Sequence, residues 1–301
     1  MKLSVVIPVK NEASAIGPLL DSLIEQTLPP DEIVVVDGGS TDGTQIIVQD
    51  YSRRQREIRL LCDANAFPGR GRNLGTASAA NDWIAFTDAG VTPAKDWLAE
   101  LTEPARRDPS IDVVYGRWEP ITDTFFKECA AIAYAPAPPK TIDQRFIQSR
   151  AVFSSLVRRS VWQEVNGFPE ELRSAEDILF MKRIEERGFR IADAPEANVY
   201  WQMQATWSDT FGRFLTYSMH TMRAGLWRHW QAKVIGGYAP LLFGALAAFL
   251  FTRWWAFIAA GLFLMMFIAR GVKALWRNRD IYPASILRNS LRLLIICPLL
   301  A

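Results

Sequence analysis

Short β-branched runs alternate with longer amphipathic stretches through the first half of the chain. Leu3–Val9, Ile33–Asp37, Ile58–Cys62, Trp83–Thr87 and Val113–Tyr115 are apolar runs, most of them bounded by turn or charged residues, which predicts buried strands. Between them, Ser14–Gln26, Thr44–Gln55, Gly71–Ala80 and Ala94–Arg107 place apolar residues at helical spacing. Strands alternating with helices predict βαβ units and an α/β fold with a mostly parallel central sheet, whose ligands gather at the carboxyl ends of the strands. Regularity stops between Trp118 and Val152, where AYAPAPPKT (Ala133–Thr141) predicts a loop. Helices are expected again at Arg158–Val165 and Ala175–Arg187, with short strands at Arg190–Asp193 and Asn198–Gln202.

The last third changes character. Val234–Thr252 holds no charged residue in 19 positions and Trp254–Ala269 none in 16, with Arg253 between them. A spanning helix needs roughly 20 apolar residues. Lys and Arg flank the pair on its outer sides, at Arg223, Arg228, Lys233, Arg270, Lys273, Arg277 and Arg279, which places both flanks in the cytoplasm. The alternative is a buried helical hairpin, but uncharged runs of this length are uncommon in soluble helices. Trp207–Trp230, rich in aromatic residues and arginine, reads as a helix on the membrane surface. Three regions follow: a cytoplasmic catalytic-type domain over 1–205, an interfacial helical segment over 206–232 and transmembrane helices over 233–301. The expected localisation is the cell membrane, multi-pass.

Charge sharpens this picture. The 301 residues carry a formal net charge of +2, yet from Trp201 onward there are 11 Lys+Arg against 2 Asp+Glu, with seven of the 11 tryptophans. Basic charge set beside apolar runs points to a bilayer rather than a nucleic-acid polymer. The first apolar stretch, Leu3–Val9, is no signal peptide: it is short, contains Pro8 and runs into Lys10-Asn11-Glu12. Three scattered cysteines and two histidines form no zinc-binding pattern.

The chemistry begins at VVVDGGSTDGT, Val34–Thr44. A glycine-rich loop after a strand often cradles phosphate, but this one has two aspartates and no lysine, and matches neither GxGxxG nor GxxxxGK[ST]. A carboxylate at a strand end suits the hydrogen-bond donors of a base or ribose instead. Asp37 therefore fits the nucleoside half of a nucleotide. Gly38, Gly39 and Gly43 permit a tight turn, and Asp42 or Ser40 suits the cap of the next helix.

These strings together resemble the family 2 glycosyltransferases. SVVIPVKNEASAIGPLLDSLIEQ, DEIVVVDGGSTDGT, GRGRNLG (Gly69–Gly75), WIAFTDAGVTP (Trp83–Pro93) and VNGFPEELRSAEDILFMKRIEERGFRI (Val165–Ile191) stand in the family's order over roughly the first 200 residues. The resemblance implies a GT-A fold and inverting transfer of a sugar from a nucleotide-diphosphate donor to an acceptor hydroxyl. It implies Asp177 of SAED as the general base, with Glu176 the other candidate. It assigns Pro8, Asn11, Glu12, Asp37, Gly39, Arg72, Asp88 and Ala89 to the donor, and Ser154 and Ser155 to the acceptor side. Asp88 matches the first aspartate of the family's DxD and would hold Mg²⁺ or Mn²⁺; Gly90 replaces the second. The processive pattern QxxRW is missing, since His220-Thr-Met-Arg223-Ala-Gly225 lacks both its glutamine and its tryptophan. A membrane setting implies a lipid or lipid-linked acceptor in glycan, exopolysaccharide or glycolipid synthesis. The alternatives are transfer to a polyprenyl phosphate, or an inactive donor-binding subunit of a membrane synthase.

Overall fold

The computed structural model describes residues 1–135, 150–228, 231–250 and 254–300. The chain divides into two compact units, residues 1–119 with 139–202, and residues 120–138 with 203–301.

The first unit is built on one eight-stranded sheet. In chain order its elements are β1 (Leu3–Val9), α1 (Ala13–Ile24), β2 (Glu32–Asp37), α2 (Thr44–Arg54), β3 (Ile58–Cys62), α3 (Pro68–Ser78), β4 (Trp83–Phe86), β5 (Val91–Pro93), α4 (Trp97–Arg107) and β6 (Val113–Ile121). After α5 (Phe125–Tyr134), which belongs to the second unit, come β7 (Ser155–Arg158), α6 (Arg159–Glu164), α7 (Glu176–Glu186) and β8 (Ile191–Gln202). The strand order is β3-β2-β1-β4-β7-β6-β8-β5. β1 and β2 are buried along almost their whole length, as strands covered on both faces must be.

The sheet is mixed, which corrects the expectation of a mostly parallel one. β1–β2, β2–β3 and β1–β4 pair parallel; β4–β7, β6–β7 and β5–β8 pair antiparallel. The parallel half follows the helical crossovers visible in the sequence, since parallel neighbours need a long connection. β7 enters from a short 3-10 turn, Val152–Ser154, and runs the other way. The expected strands at 190–193 and 198–202 are one long strand, β8.

The core joins the ends of these strands to the loop before α7. Phe168, on that loop, stacks on Phe180 of α7 at 3.8 Å between ring centroids. It meets Phe86 of β4 edge-on at 5.3 Å. Val34, Val36, Ile84, Val157 and Ile184 complete the cluster. This apolar block packs α7 against the end of β4.

The second unit is helical: α5, α8 (Trp207–Arg223), α9 (Gln231–Leu250), α10 (Trp254–Arg277) and α11 (Ile286–Leu299). The chain between Trp118 and Tyr134, expected to be irregular, includes a full helix; the proline-rich run Ala133–Thr141 lies outside the described residues from position 136 onward. α9 and α10 pack closely where a Cβ on Gly244 would fall 1.9 Å from that of Ala259. Among the described residues one helix, α10, is long and apolar enough to cross a membrane. The expected first span, Val234–Thr252, lies partly outside the described residues. α10 leaves Trp254, Phe257, Leu264 and Trp276 mostly exposed. α8 carries an exposed stripe of Trp207, Phe211, Leu215, Met219 and Met222, three or four residues apart.

Candidate active site

The carboxyl ends of β1, β2 and β4, adjacent in the sheet, bring the predicted strand-end residues to one edge. Asp37 ends β2 opposite Val9 and is fully buried. Its Oδ2 accepts from the Gly39 and Ser40 amides at 2.9 and 3.0 Å and from Gln45 Nε2 at 2.6 Å. Burial alone would raise this carboxyl, but the bonds from Ser40, Gln45 and Gly39 outweigh it and hold it below its usual value. Asp37 is thus a fixed anion whose Oδ1 has no protein partner. Gly39 takes φ +83°, and a Cβ there would sit 3.0 Å from Ala64 Cα and O. The position needs glycine on both counts.

The loop after β1 is laced to the loop after β2. Asn11, at φ 57°, gives its amide to Ser40 Oγ and takes the Thr41 amide on Oδ1, both at 2.8 Å. The Glu12 amide donates to Thr44 Oγ1 at 2.8 Å. Asp42 serves both helices: Oδ2 accepts from Ala13 at the start of α1, and Oδ1 from the Thr44 amide and hydroxyl at the start of α2. Capping is therefore the role the structure shows for Asp42, and the side-chain oxygen of Asn11 is committed to the loop. Pro8 packs under α3, where a Cβ on Gly71 would lie 3.0 Å from its own.

Around α3 lies a second group of charges. Arg72 is 3 % exposed, and one guanidinium serves two carboxylates. Nη2 donates to Asp88 Oδ1 and Nη1 to Glu176 Oε1, each at 2.7 Å. Asp88 follows β4 and keeps about a third of its side chain exposed (34 %), beside buried Ala89. Asp177, next to Glu176, is half-buried. Burial pushes the Glu176 carboxyl up to about 7, with Arg72 opposing and Asp177 assisting. Burial also raises Asp177, again against the pull of Arg72. Burial would lower Arg72, but the charges of Asp88 and Glu176 keep it firmly protonated. Three carboxylates thus share one cation.

Arg72 was expected to reach the donor; both arms of its fork lie on protein carboxylates. Ser154 and Ser155 were expected to line the acceptor side, but both are fully buried. Ser154 Oγ accepts from Trp97 Nε1 at 3.0 Å, and Ser155 Oγ donates to the Val152 carbonyl at 2.7 Å. Small residues fit there because Gly116 leaves room; a Cβ on it would meet Ser154 Oγ at 2.3 Å. What the sequence reading missed is Asn73. Its Oδ1 accepts from Trp162 Nε1 and the Phe168 amide, and its Nδ2 donates to the Phe168 carbonyl and Glu170, all at 2.9 Å. Its place inside RNLG was the one available signal.

The sequence profile of the family described as glycosyl transferase family 2 matches residues 4–165, just over half of the chain. The chain belongs to this family. Among family 2 relatives, the O-antigen chain rhamnosyltransferase RfbN of Salmonella typhimurium is 29 % identical over 227 residues, covering 71 % of this chain and 70 % of its own. An uncharacterised glycosyltransferase of Bacillus subtilis, EpsJ, is 29 % identical over 188 residues, covering 59 % of this chain and 54 % of its own. The chain thus spans only about half the length of that relative. A crystal structure of Staphylococcus aureus TarS 1–349 superposes with TM-score 0.54 at 27 % identity, over 67 % of this chain and 60 % of that one. A Pyrobaculum calidifontis mannosyltransferase, solved with GDP-Man and Mn²⁺, superposes with TM-score 0.57 at 22 % identity, over 99 % of this chain and 86 % of that one. The fold of the family 2 domain is therefore GT-A-like.

Proposed function

We propose that the chain is an inverting glycosyltransferase that moves a sugar from a nucleotide-diphosphate donor to an acceptor hydroxyl at the cytoplasmic membrane face. The carrying observation is the division of labour at one sheet edge. Asp37 is a buried, ionised carboxylate whose Oδ1 has no protein partner, suited to the donor's nucleoside. Asp88 and Asp177 are partly exposed carboxylates on either side of Arg72. TarS has been solved with UDP-GlcNAc, and the mannosyltransferase with GDP-Man and Mn²⁺.

The reaction needs one base and a stabilised leaving group. Asp177 takes the proton of the acceptor hydroxyl as its oxygen attacks the anomeric carbon. The bond from that carbon to the diphosphate breaks, and the nucleoside diphosphate leaves with the bonding pair. The configuration inverts. No acid is required, because diphosphate departs unprotonated. Glu176 is less suited to be the base, with Oε1 on Arg72 and only 5 % of the residue exposed.

Among the described residues no three His, Cys, Asp or Glu side chains form a metal cage. Asp88, one of whose oxygens is on Arg72, would be the residue to hold Mg²⁺ or Mn²⁺, and such an ion would supply positive charge to the leaving diphosphate.

On this reading residues 1–205 form the catalytic domain, 206–232 an interfacial segment and 233–301 the membrane region. The apolar α10, long enough to cross a bilayer, supports a membrane anchor and, with it, a lipid or lipid-linked acceptor in envelope glycan synthesis. The test is donor turnover by the full chain in washed membranes, against UDP-, GDP- and dTDP-sugars with Mn²⁺, Mg²⁺ or chelator. One donor should turn over, the activity should resist carbonate extraction, and Asp177→Asn should remove about 10²–10⁴-fold of the rate. Turnover of no donor sinks the proposal; full activity in Asp177→Asn sinks the assignment of the base.

A further inference from the structure

The GRGRN string on α3 has a use other than holding phosphate. Its side chains bind the segment between α6 and α7. Arg70 donates to Asp63 at 2.7 Å and to Glu170 at 2.9 Å. Asn73 holds Phe168, Glu170 and Trp162. Gly69 lies so close to this segment that a Cβ would meet the Pro169 carbonyl at 2.1 Å. The third partner, Arg72, holds Glu176 at the start of α7.

That start lacks ordinary support. Ala175, the residue before α7, sits at φ 70°, a left-handed conformation unfavourable for a residue with a Cβ. It offers no side-chain cap. The Ser174 hydroxyl, which would otherwise suit a cap, is buried with no hydrogen-bond partner. The first turn of α7 is held instead by the ion pair between Arg72 and Glu176, with side chains only 4 % and 6 % exposed. Consecutive residues on a helix point about 100° apart. Pinning Glu176 inward therefore turns Asp177 away from it, toward the half-exposed side. The other arm of the same guanidinium holds Asp88 at the end of β4. One rigid fork thus sets the spacing between the donor side and the base.

We propose that Arg72, through Glu176, is a positioning residue for Asp177: the buried fork fixes the first turn of α7 so that the base stands at a set place relative to Asp88. This rests on the transferase reading above. Lysine cannot replace arginine here, because a single ammonium does not reproduce the two-armed planar geometry.

The test uses the full chain, with hydrolysis of whichever donor wild type turns over among UDP-GlcNAc, GDP-mannose and a dTDP-sugar. Four variants are compared: Glu176→Gln, which keeps an accepting oxygen for Arg72; Glu176→Ala; Arg72→Lys; and Asp177→Asn. Donor KM and kcat are separated, and thermal unfolding is recorded for each. Glu176→Ala and Arg72→Lys should lose about 10²-fold in kcat, the loss expected of a misplacement near 1 Å. For Glu176→Ala, donor KM should stay within about threefold and Glu176→Gln should recover most of kcat, as a positioning bond allows. A role confined to stability would lower the unfolding temperature and leave kcat of the folded protein unchanged, which overturns the proposal. So would Glu176→Gln as inactive as Asp177→Asn, which makes Glu176 the base, or a Glu176→Ala effect confined to KM, which makes it a donor ligand. Absence of turnover in wild type itself overturns the transferase reading, a result distinct from any variant pattern.

Discussion

Gly75→Ala tests whether α3 lies on the sheet as tightly as the site requires. A Cβ on Gly75 would fall 2.4 Å from Val6 Cγ1 and 3.3 Å from Val36 Cγ2. Non-bonded carbons sit at roughly 3.5–4.0 Å, so the first contact is short by more than about 1 Å. Val6 cannot easily yield, being fully buried on β1 and β-branched. Overpacking of this kind costs about 1–3 kcal/mol, and the upper part of that range suits so short a contact. Alanine returns about 1 kcal/mol through helix propensity. The net expectation is a loss of about 1–2 kcal/mol, or roughly 2–8 °C in Tm for a domain of this size. Arg72 lies one turn earlier on the same helix. A helix lifted by about 1 Å carries the guanidinium with it, and donor turnover should fall by up to about 10²-fold. The assay is thermal unfolding of the full chain by near-UV circular dichroism, paired with donor hydrolysis. A Gly75→Ala protein with wild-type Tm and wild-type turnover would refute the argument, because α3 would then have room to spare.

Three further expectations concern charge. Burial raises the Asp177 carboxyl, so the acid limb of the rate profile should lie above the usual aspartate value of about 3.9, with activity falling as pH drops through it. A limb at or below that value would contradict the burial argument. Stability moves the opposite way: Glu176 is raised on folding to about 7, so the folded chain keeps a proton that the unfolded chain has lost. The stabilisation this gives is complete below the unfolded value of about 4.3 and lost as pH rises through the folded one. The Tm of wild type relative to Glu176→Gln should therefore decline as pH rises from about 4.3 to about 7 and level off above that; a flat difference refutes it. In the second unit, Arg292 on α11 is 2 % exposed and donates through Nε to Glu128 of α5 at 2.7 Å. Arg292→Met alone should cost more than Arg292→Met with Glu128→Met, but less than the roughly 3–5 kcal/mol of a fully stranded buried charge, because Arg288 still pairs with the other oxygen of Glu128. Equal unfolding temperatures for the single and double variants would refute that.

What the sequence made legible follows the range of the interactions involved. β1, β2, β3 and β4 and their helices announce themselves by local period, and with them the strand-end places of Asp37 and Asp88. The antiparallel half does not. β7 is the four residues Ser155–Arg158, too short to show a period, and its partners are set by contacts far along the chain. α5 was hidden by the prolines that follow it, although its cap, Thr124 accepting from the Lys127 amide, is an ordinary one. The serines at 154 and 155 looked like a surface because small residues suit both a pocket wall and a tight core. Only the nearness of Gly116 and Trp97 decides between them.

Arg72 shows where motif reading needs three dimensions. An arginine beside glycines near the donor edge has the chemistry to bind phosphate, and nothing within ten residues of it says otherwise. Its partner Glu176 is 104 residues away and Asp88 is 16 away. Once these are in place, the guanidinium is seen to lie between two protein carboxylates. A guanidinium at the diphosphate would contribute positive charge. A guanidinium already shared by Asp88 and Glu176, with Asp177 close by, leaves the region net negative. On the transferase reading proposed above, a divalent ion at Asp88 would supply the positive charge that the leaving diphosphate needs, and the Arg72 guanidinium, paired with one Asp88 oxygen, would orient that carboxylate toward it. The metal dependence of donor turnover tests both parts of this arrangement.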